Sequence, residues 1–113
     1  MGGLAGDRRV YPERRAGGFG TDALIVSGHE AAAHGEAVAG LVLVPSIVDT
    51  VKIPVIAAGS FAHGRGLGAD LALGAEGIAM GTRFMMTQES PLHENYKQLS
   101  REKGVYDTLY SDP

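Results

Sequence analysis

Two apolar runs that each break into a small-residue turn constrain this chain more than any other feature: Ile53-Pro54-Val55-Ile56-Ala57-Ala58-Gly59-Ser60 and Gly77-Ile78-Ala79-Met80-Gly81-Thr82. Short continuous apolar runs bounded by glycine are the pattern of strands buried in a parallel sheet. Gly59 and Gly81 stand 22 positions apart. That distance suits strand, short helix and strand, so both turns are expected at the same end of a parallel pair. Small residues there let a ligand come close to the main chain. Amides beside helix N-termini then make an anion site, most often for a phosphate.

The rest of the chain extends this pattern. Met1 to Gly20 has neither period two nor period 3.6 and reads as a disordered tail, with order beginning at Thr21. Asp22-Ala23-Leu24-Ile25-Val26-Ser27-Gly28 reads as a first strand covered on both faces. His29 to Gly40, rich in alanine and glycine, reads as a long loop leaving that strand's carboxyl end. After Leu41-Val42-Leu43-Val44, Pro45 suits a first helical turn. Ile47, Val48 and Val51 then share one face, which predicts a short helix to about Val51.

Gly66 to Leu73 predicts a second crossover helix, with Gly74 as its left-handed C-terminal cap. Ser90-Pro91 reads as N-cap and first residue of a polar helix through about Arg101, and Tyr106 to Pro113 shows no pattern. The result is an α/β chain of three consecutive parallel β/α units. A (β/α) barrel takes about 250 residues, so 113 residues supply less than half of one. Three strands alone leave two unpaired edges, a route to self-association.

Composition narrows the partners. With 10 basic and 13 acidic residues the net charge is −3, which builds no field to collect nucleic acid or an anionic membrane. There is no cysteine, so disulfides, thiolate metal sites and thiol catalysis are excluded. No apolar run approaches the roughly 20 residues of a membrane span, and the first twenty residues hold no apolar block of the kind a secretory signal needs. A cytoplasmic protein is the expectation. His29 and His34 do not have the i, i+4 spacing that sets two metal ligands on one helical face, and no metal site is predicted.

Several blocks, taken in order, resemble a known family. They are Gly28-His29-Glu30-Ala31-Ala32-Ala33-His34, Leu41-Val42-Leu43-Val44-Pro45, Ile53 to Gly59, Gly64-Arg65-Gly66, Leu71 to Gly77, Met80-Gly81-Thr82-Arg83-Phe84, Glu89-Ser90-Pro91 and His93 to Lys97. Together, over about Thr21 to Lys97, they are similar to the carboxyl-terminal half of nitronate monooxygenases, formerly 2-nitropropane dioxygenases. The resemblance implies that residues 21–113 are part of a TIM barrel that holds FMN, roughly its last three β/α units, with residues 1–20 unrelated to it. It also implies an oxidoreductase that converts a small nitronate, with oxygen, to a carbonyl compound and nitrite.

On that resemblance the phosphate turns are Gly59-Ser60 and Met80-Gly81-Thr82, Ala33 lies beside the flavin, and His34 is the active-site histidine. Thr82 has a hydroxyl donor to offer, and Gly81 an amide with no side chain in the way. A histidine suits a residue that takes a proton from a neutral nitroalkane or steadies the anion, because its pKa lies near neutrality. His29 and Glu30 are placed to orient His34 or to line the pocket, a solvated loop being the alternative; His63, Arg65 and His93 read as surface residues or as supports behind the site. Ser60 stands where the family usually has a second glycine. A positive φ there would cost about 1–2 kcal/mol.

Three further readings stay open: an FMN-dependent enoyl or NAD(P)H:quinone reductase on the same barrel, a non-catalytic truncated remnant, and a non-redox phosphate-binding barrel fragment acting on a sugar phosphate. With the amino-terminal strands of the family without counterpart, the isolated chain is expected to bind FMN weakly and to turn over slowly or not at all.

Overall fold

The computed structural model describes residues 21–31 and 37–108. The segment 1–20 read as a tail lies outside them, as do Ala33, His34 and residues 109–113. Three strands, β1 (Leu24–Ser27), β2 (Val55–Ala58) and β3 (Gly77–Ala79), form one parallel sheet in that order. Leu24 pairs with Val55 and Val26 with Ala57, while Ala57 pairs with Ile78. At the carboxyl end Ser27, Ala58 and Ala79 lie level across the sheet, so the chain leaves all three strands along one edge.

Helix α1 (Gly40–Thr50) connects β1 to β2, and helix α2 (Gly64–Ala72) connects β2 to β3. Strand periodicity of two sends Leu24 and Val26 of β1, with Val55 and Ala57 of β2, into a core completed by Val44 and Ile47 of α1 and by Ala75. The alternate residue Ile25 stays 53% exposed. The expectation that β1 is covered on both faces is therefore corrected, because among the described residues only one face of this strand meets a helix layer.

The first crossover also differs from expectation. Leu41-Val42-Leu43-Val44 does not precede the helix but forms its first turns, and Pro45 lies inside it. Proline removes one intrahelical hydrogen bond there. The start at Gly40 is possible because its amide has a partner from outside the helix: the Glu30 carboxylate, at 3.0 and 2.9 Å. Such a cap, from ten residues upstream, leaves no local signature of the kind that marks a helix start.

Helix α2 ends as predicted. Gly74 has φ +97°, its amide donates to Leu71 O, and the Ala75 amide donates to Asp70 O. This is the paired hydrogen-bond pattern of a Schellman cap. Ala75 is thereby turned into the core, and Glu76 N then donates to Val55 O at 2.8 Å to begin the pairing of β3. At its other end, α2 is capped by His63, whose Nδ1 accepts from Arg65 N at 3.3 Å.

Residues 81–108 form a second compact unit. It holds a short helix α3 (Thr82–Met85), which the sequence reading missed, and helix α4 (Glu94–Glu102), followed by a 3-10 turn at Val105–Asp107. The N-cap of α4 is His93, with Nδ1 accepting from Asn95 N at 3.1 Å, and not Ser90. Ser90 Oγ accepts instead from Leu92 N, and Ser90 O accepts from the buried Lys97 ammonium at 2.8 Å. The histidines at 63 and 93 thus have a structural role that their side chains alone do not announce.

Candidate functional site

The carboxyl edge of the sheet is where the candidate site is built. After β1 the chain turns through Gly28, which is buried so tightly that an added Cβ would fall 2.5 Å from Glu30 Oε2 and from Gly40 N. Only hydrogen fits there. Beyond this turn, His29 N donates to Val38 O at 2.9 Å and Ala31 N donates to Gly28 O at 3.1 Å. Together with the bond from Gly40 N to Glu30, these contacts join the two ends of the segment that carries Ala33 and His34.

The turn after β2 packs directly on this arrangement. Gly59 has φ +107°, and a Cβ there would come within 2.9 Å of Ala31 N. Both conformation and space demand glycine. Gly59→Ala is expected to destabilise the first unit by about 1–3 kcal/mol through strain and displacement of the β1 turn. Chemical denaturation checks it, with an unchanged midpoint as the contrary result.

Ser60 follows with φ +61°, so the condition under which serine was expected to cost about 1–2 kcal/mol is met. Its hydroxyl donates to Glu30 O at 3.3 Å, tying the β2 turn to the β1 turn.

The chain leaves β3 at Met80, beside the end of β2, and Gly81 and Thr82 follow. Gly81 has φ −92°, and an added Cβ would meet nothing within 4 Å. Nothing in the fold itself requires glycine at this position. Among the described residues the amides of Ser60, Gly81 and Thr82 donate to no acceptor, and all three residues are exposed. The helix dipoles add little. α3 has four residues, and α2 begins four residues beyond Ser60 with its own histidine cap. Donor capacity therefore resides, after β2, in the Ser60 amide, since its hydroxyl already donates to Glu30 O, and, after β3, in the Gly81 and Thr82 amides and the Thr82 hydroxyl. Each turn by itself offers donors of the kind an anion accepts.

Of the residues singled out in the sequence, the structure brings Gly59 and Ser60 into contact with the β1 turn and sets Met80 at the neighbouring strand end. Ala33 and His34 lie outside the described residues. Among the described residues no cluster of three or more His, Asp or Glu is placed to hold a metal ion, and no helix is long and apolar enough to cross a membrane.

Parallel β/α units whose strands end level are the repeating element of β/α barrels as of open parallel sheets. A model of the nitronate monooxygenase family matches residues 9–113. The chain belongs to that family of oxidoreductases.

It is 48% identical over 98 residues to a Rhodococcus jostii protein named (3aS,4S,5R,7aS)-5-hydroxy-7a-methyl-1-oxo-octahydro-1H-indene-4-carboxyl-CoA dehydrogenase, an alignment covering 87% of this chain and 28% of the relative. It is 38% identical over 104 residues to a probable nitronate monooxygenase of Staphylococcus saprophyticus, covering 82% of this chain and 29% of the relative. Among solved structures, FabK from Thermotoga maritima superposes with a TM-score of 0.79 at 44% identity, over 85% of this chain and 31% of that one. The chain thus spans less than a third of the length of these relatives, and its fold is part of a barrel, about three β/α units.

Proposed function

We propose that this chain is the phosphate-binding and proton-transfer part of an FMN-dependent oxidoreductase that converts nitronates, with oxygen, to carbonyl compounds and nitrite. The observation that carries the reading is the pair of donor-bearing turns leaving the adjacent strands β2 and β3, in a chain of the nitronate monooxygenase family. The Ser60, Gly81 and Thr82 amides and the Thr82 hydroxyl are the donors offered to a dianionic phosphate. The lack of a Cβ at Gly81 lets the oxygens come close. Gly59 keeps the β2 turn in the conformation that presents Ser60, and Met80 and Ala33 complete the cofactor contacts. His34 takes the proton of a neutral nitroalkane or steadies the anionic substrate. FMN held by these turns would supply the redox chemistry, a reversible acceptor for the substrate's electrons.

The relatives named as a CoA dehydrogenase and as FabK favour a second reading, an FMN-dependent reductase of the same barrel, because they share the same segment at 48% and 44% identity. Anaerobic bleaching of the flavin separates the two. With FMN in excess, preformed nitronate alone is expected to bleach it. Bleaching by NAD(P)H and not by nitronate would establish the reductase.

A further inference from the structure

Residue 60 holds a backbone conformation that an L side chain rarely adopts. Ser60 has φ +61°, and a residue other than glycine stays in the left-handed region only where its surroundings over-determine it. Two contacts to the turn after β1 do this. Gly59 backs so closely onto Ala31 that a Cβ at 59 would lie 2.9 Å from Ala31 N, and the Ser60 hydroxyl donates to the main-chain carbonyl of Glu30 at 3.3 Å.

Glu30 is fixed in turn from its other end. Its carboxylate accepts from Gly40 N with both oxygens, at 3.0 and 2.9 Å, and Gly40 opens α1, the helix that puts Val44 and Ile47 into the core. A carboxylate at a helix N-terminus satisfies an amide with no partner inside the helix and opposes the positive end of the dipole. α1 has no acidic residue in its first turn and no side-chain cap from Ala39, so Glu30 supplies both. A continuous connection therefore runs from the start of α1 through the Glu30 side chain and carbonyl to the Ser60 hydroxyl. The Ser60 amide has no acceptor among the described residues.

We propose that Glu30 is the positioning residue for the Ser60 amide. Its side chain is moored to α1, its carbonyl receives the Ser60 hydroxyl, and residue 60 is thereby kept left-handed with its amide left over for an anionic ligand. This rests on the reading of the β2 turn as a phosphate contact. Glu30 itself does not touch the ligand, and the Ser60 hydroxyl is an anchor for the turn.

The test uses two flavins that differ only in the phosphate. Binding of FMN and of riboflavin to the 113-residue chain is followed by quenching of flavin fluorescence, and the ratio of the two dissociation constants isolates what the phosphate contributes. The parent is expected to favour FMN. Glu30→Ala is expected to cut that preference about fivefold or more, and Glu30→Gln, which keeps one acceptor oxygen for Gly40 N, to restore part of it. A general loosening of the fold would weaken both flavins alike and leave the ratio where it was. In a Ser60→Gly background the hydroxyl is gone and the left-handed conformation comes without strain, so Glu30→Ala should there change the ratio less than about twofold. An unchanged ratio in Glu30→Ala, or an equal loss in both backgrounds, would overturn the proposal.

The second readout is the coupling between the amide and α protons of Ser60, with its backbone chemical shifts, in NMR spectra of the chain without flavin. Both report φ. They are expected to leave the left-handed values in Glu30→Ala and to keep them in Glu30→Gln, with the shifts of β2 and β3 in place throughout. A Ser60 unmoved in Glu30→Ala would also overturn the proposal. A parent that holds riboflavin as tightly as FMN defeats the phosphate reading instead, and the Ser60 conformation then decides by itself whether Glu30 sets the turn.

Discussion

His34→Ala is expected to slow single-turnover bleaching of FMN by a neutral nitroalkane by about a hundredfold or more, the usual range for removal of a positioned general base. The same variant should lose far less with preformed nitronate, which arrives without the proton. Adding imidazole should recover part of the rate with the neutral substrate if the missing group is a base. The measurement is anaerobic stopped-flow absorbance with FMN in excess, so that cofactor occupancy does not limit the amplitude. A neutral nitroalkane that bleaches the variant as fast as the parent would remove His34 from the chemistry. The proposed reading would then be left without an acid-base partner on this chain for the turns at Gly59-Ser60 and Met80-Gly81-Thr82.

Asp70→Leu is expected to stabilise the first unit at neutral pH by about 1–3 kcal/mol, the range for removing a buried polar group that has no partner. Asp70 lies in α2, wholly inaccessible to solvent, and among the described residues neither carboxyl oxygen has a hydrogen-bond donor. Burial pushes its pKa above the ordinary 3.8, because the charged form cannot be solvated there. A carboxyl with a raised native pKa binds its proton more tightly folded than unfolded. Its favourable contribution is fully present below the unfolded pKa and disappears as pH rises through the native one.

The gain from leucine should therefore shrink toward pH 3 to 4. Asp70→Asn should abolish this part of the pH dependence while gaining less, since its amide remains without partners. Urea denaturation at a series of pH values measures both. A leucine variant less stable than the parent at neutral pH would show that the carboxyl is satisfied in solution.

How far the sequence alone reaches is clearest at particular residues. The three strands were legible because continuous apolar runs ending at Gly28, Gly59 and Gly81 admit few other readings, and Gly74 was legible as a cap because its position after Leu71 and Leu73 is a local signal. The start of α1 was not. Leu41 to Val44 enter the helix because the Glu30 carboxylate receives Gly40 N, and a contact across ten residues has no local trace. The histidines at 63 and 93 escaped for a related reason. Histidine is an uncommon N-cap, and only the geometry of Nδ1 against Arg65 N and Asn95 N identifies the role. Asp70 carried no warning either, since a helical aspartate at that spacing reads equally well as solvated.

By itself, then, the order of residues determined the strands, their parallel sense, the turns at Gly59-Ser60 and Met80-Gly81-Thr82, and family membership, because backbone sterics and apolar periodicity act over a few neighbours at a time. Tertiary structure alone decided where α1 begins, that Ser60 adopts φ +61° and bonds to Glu30 O, that Ile25 is left exposed while Asp70 is sealed in, and that one glutamate ties two turns together. Each of those depends on which distant groups meet, and that is settled only when the sheet and its helices close around a shared core.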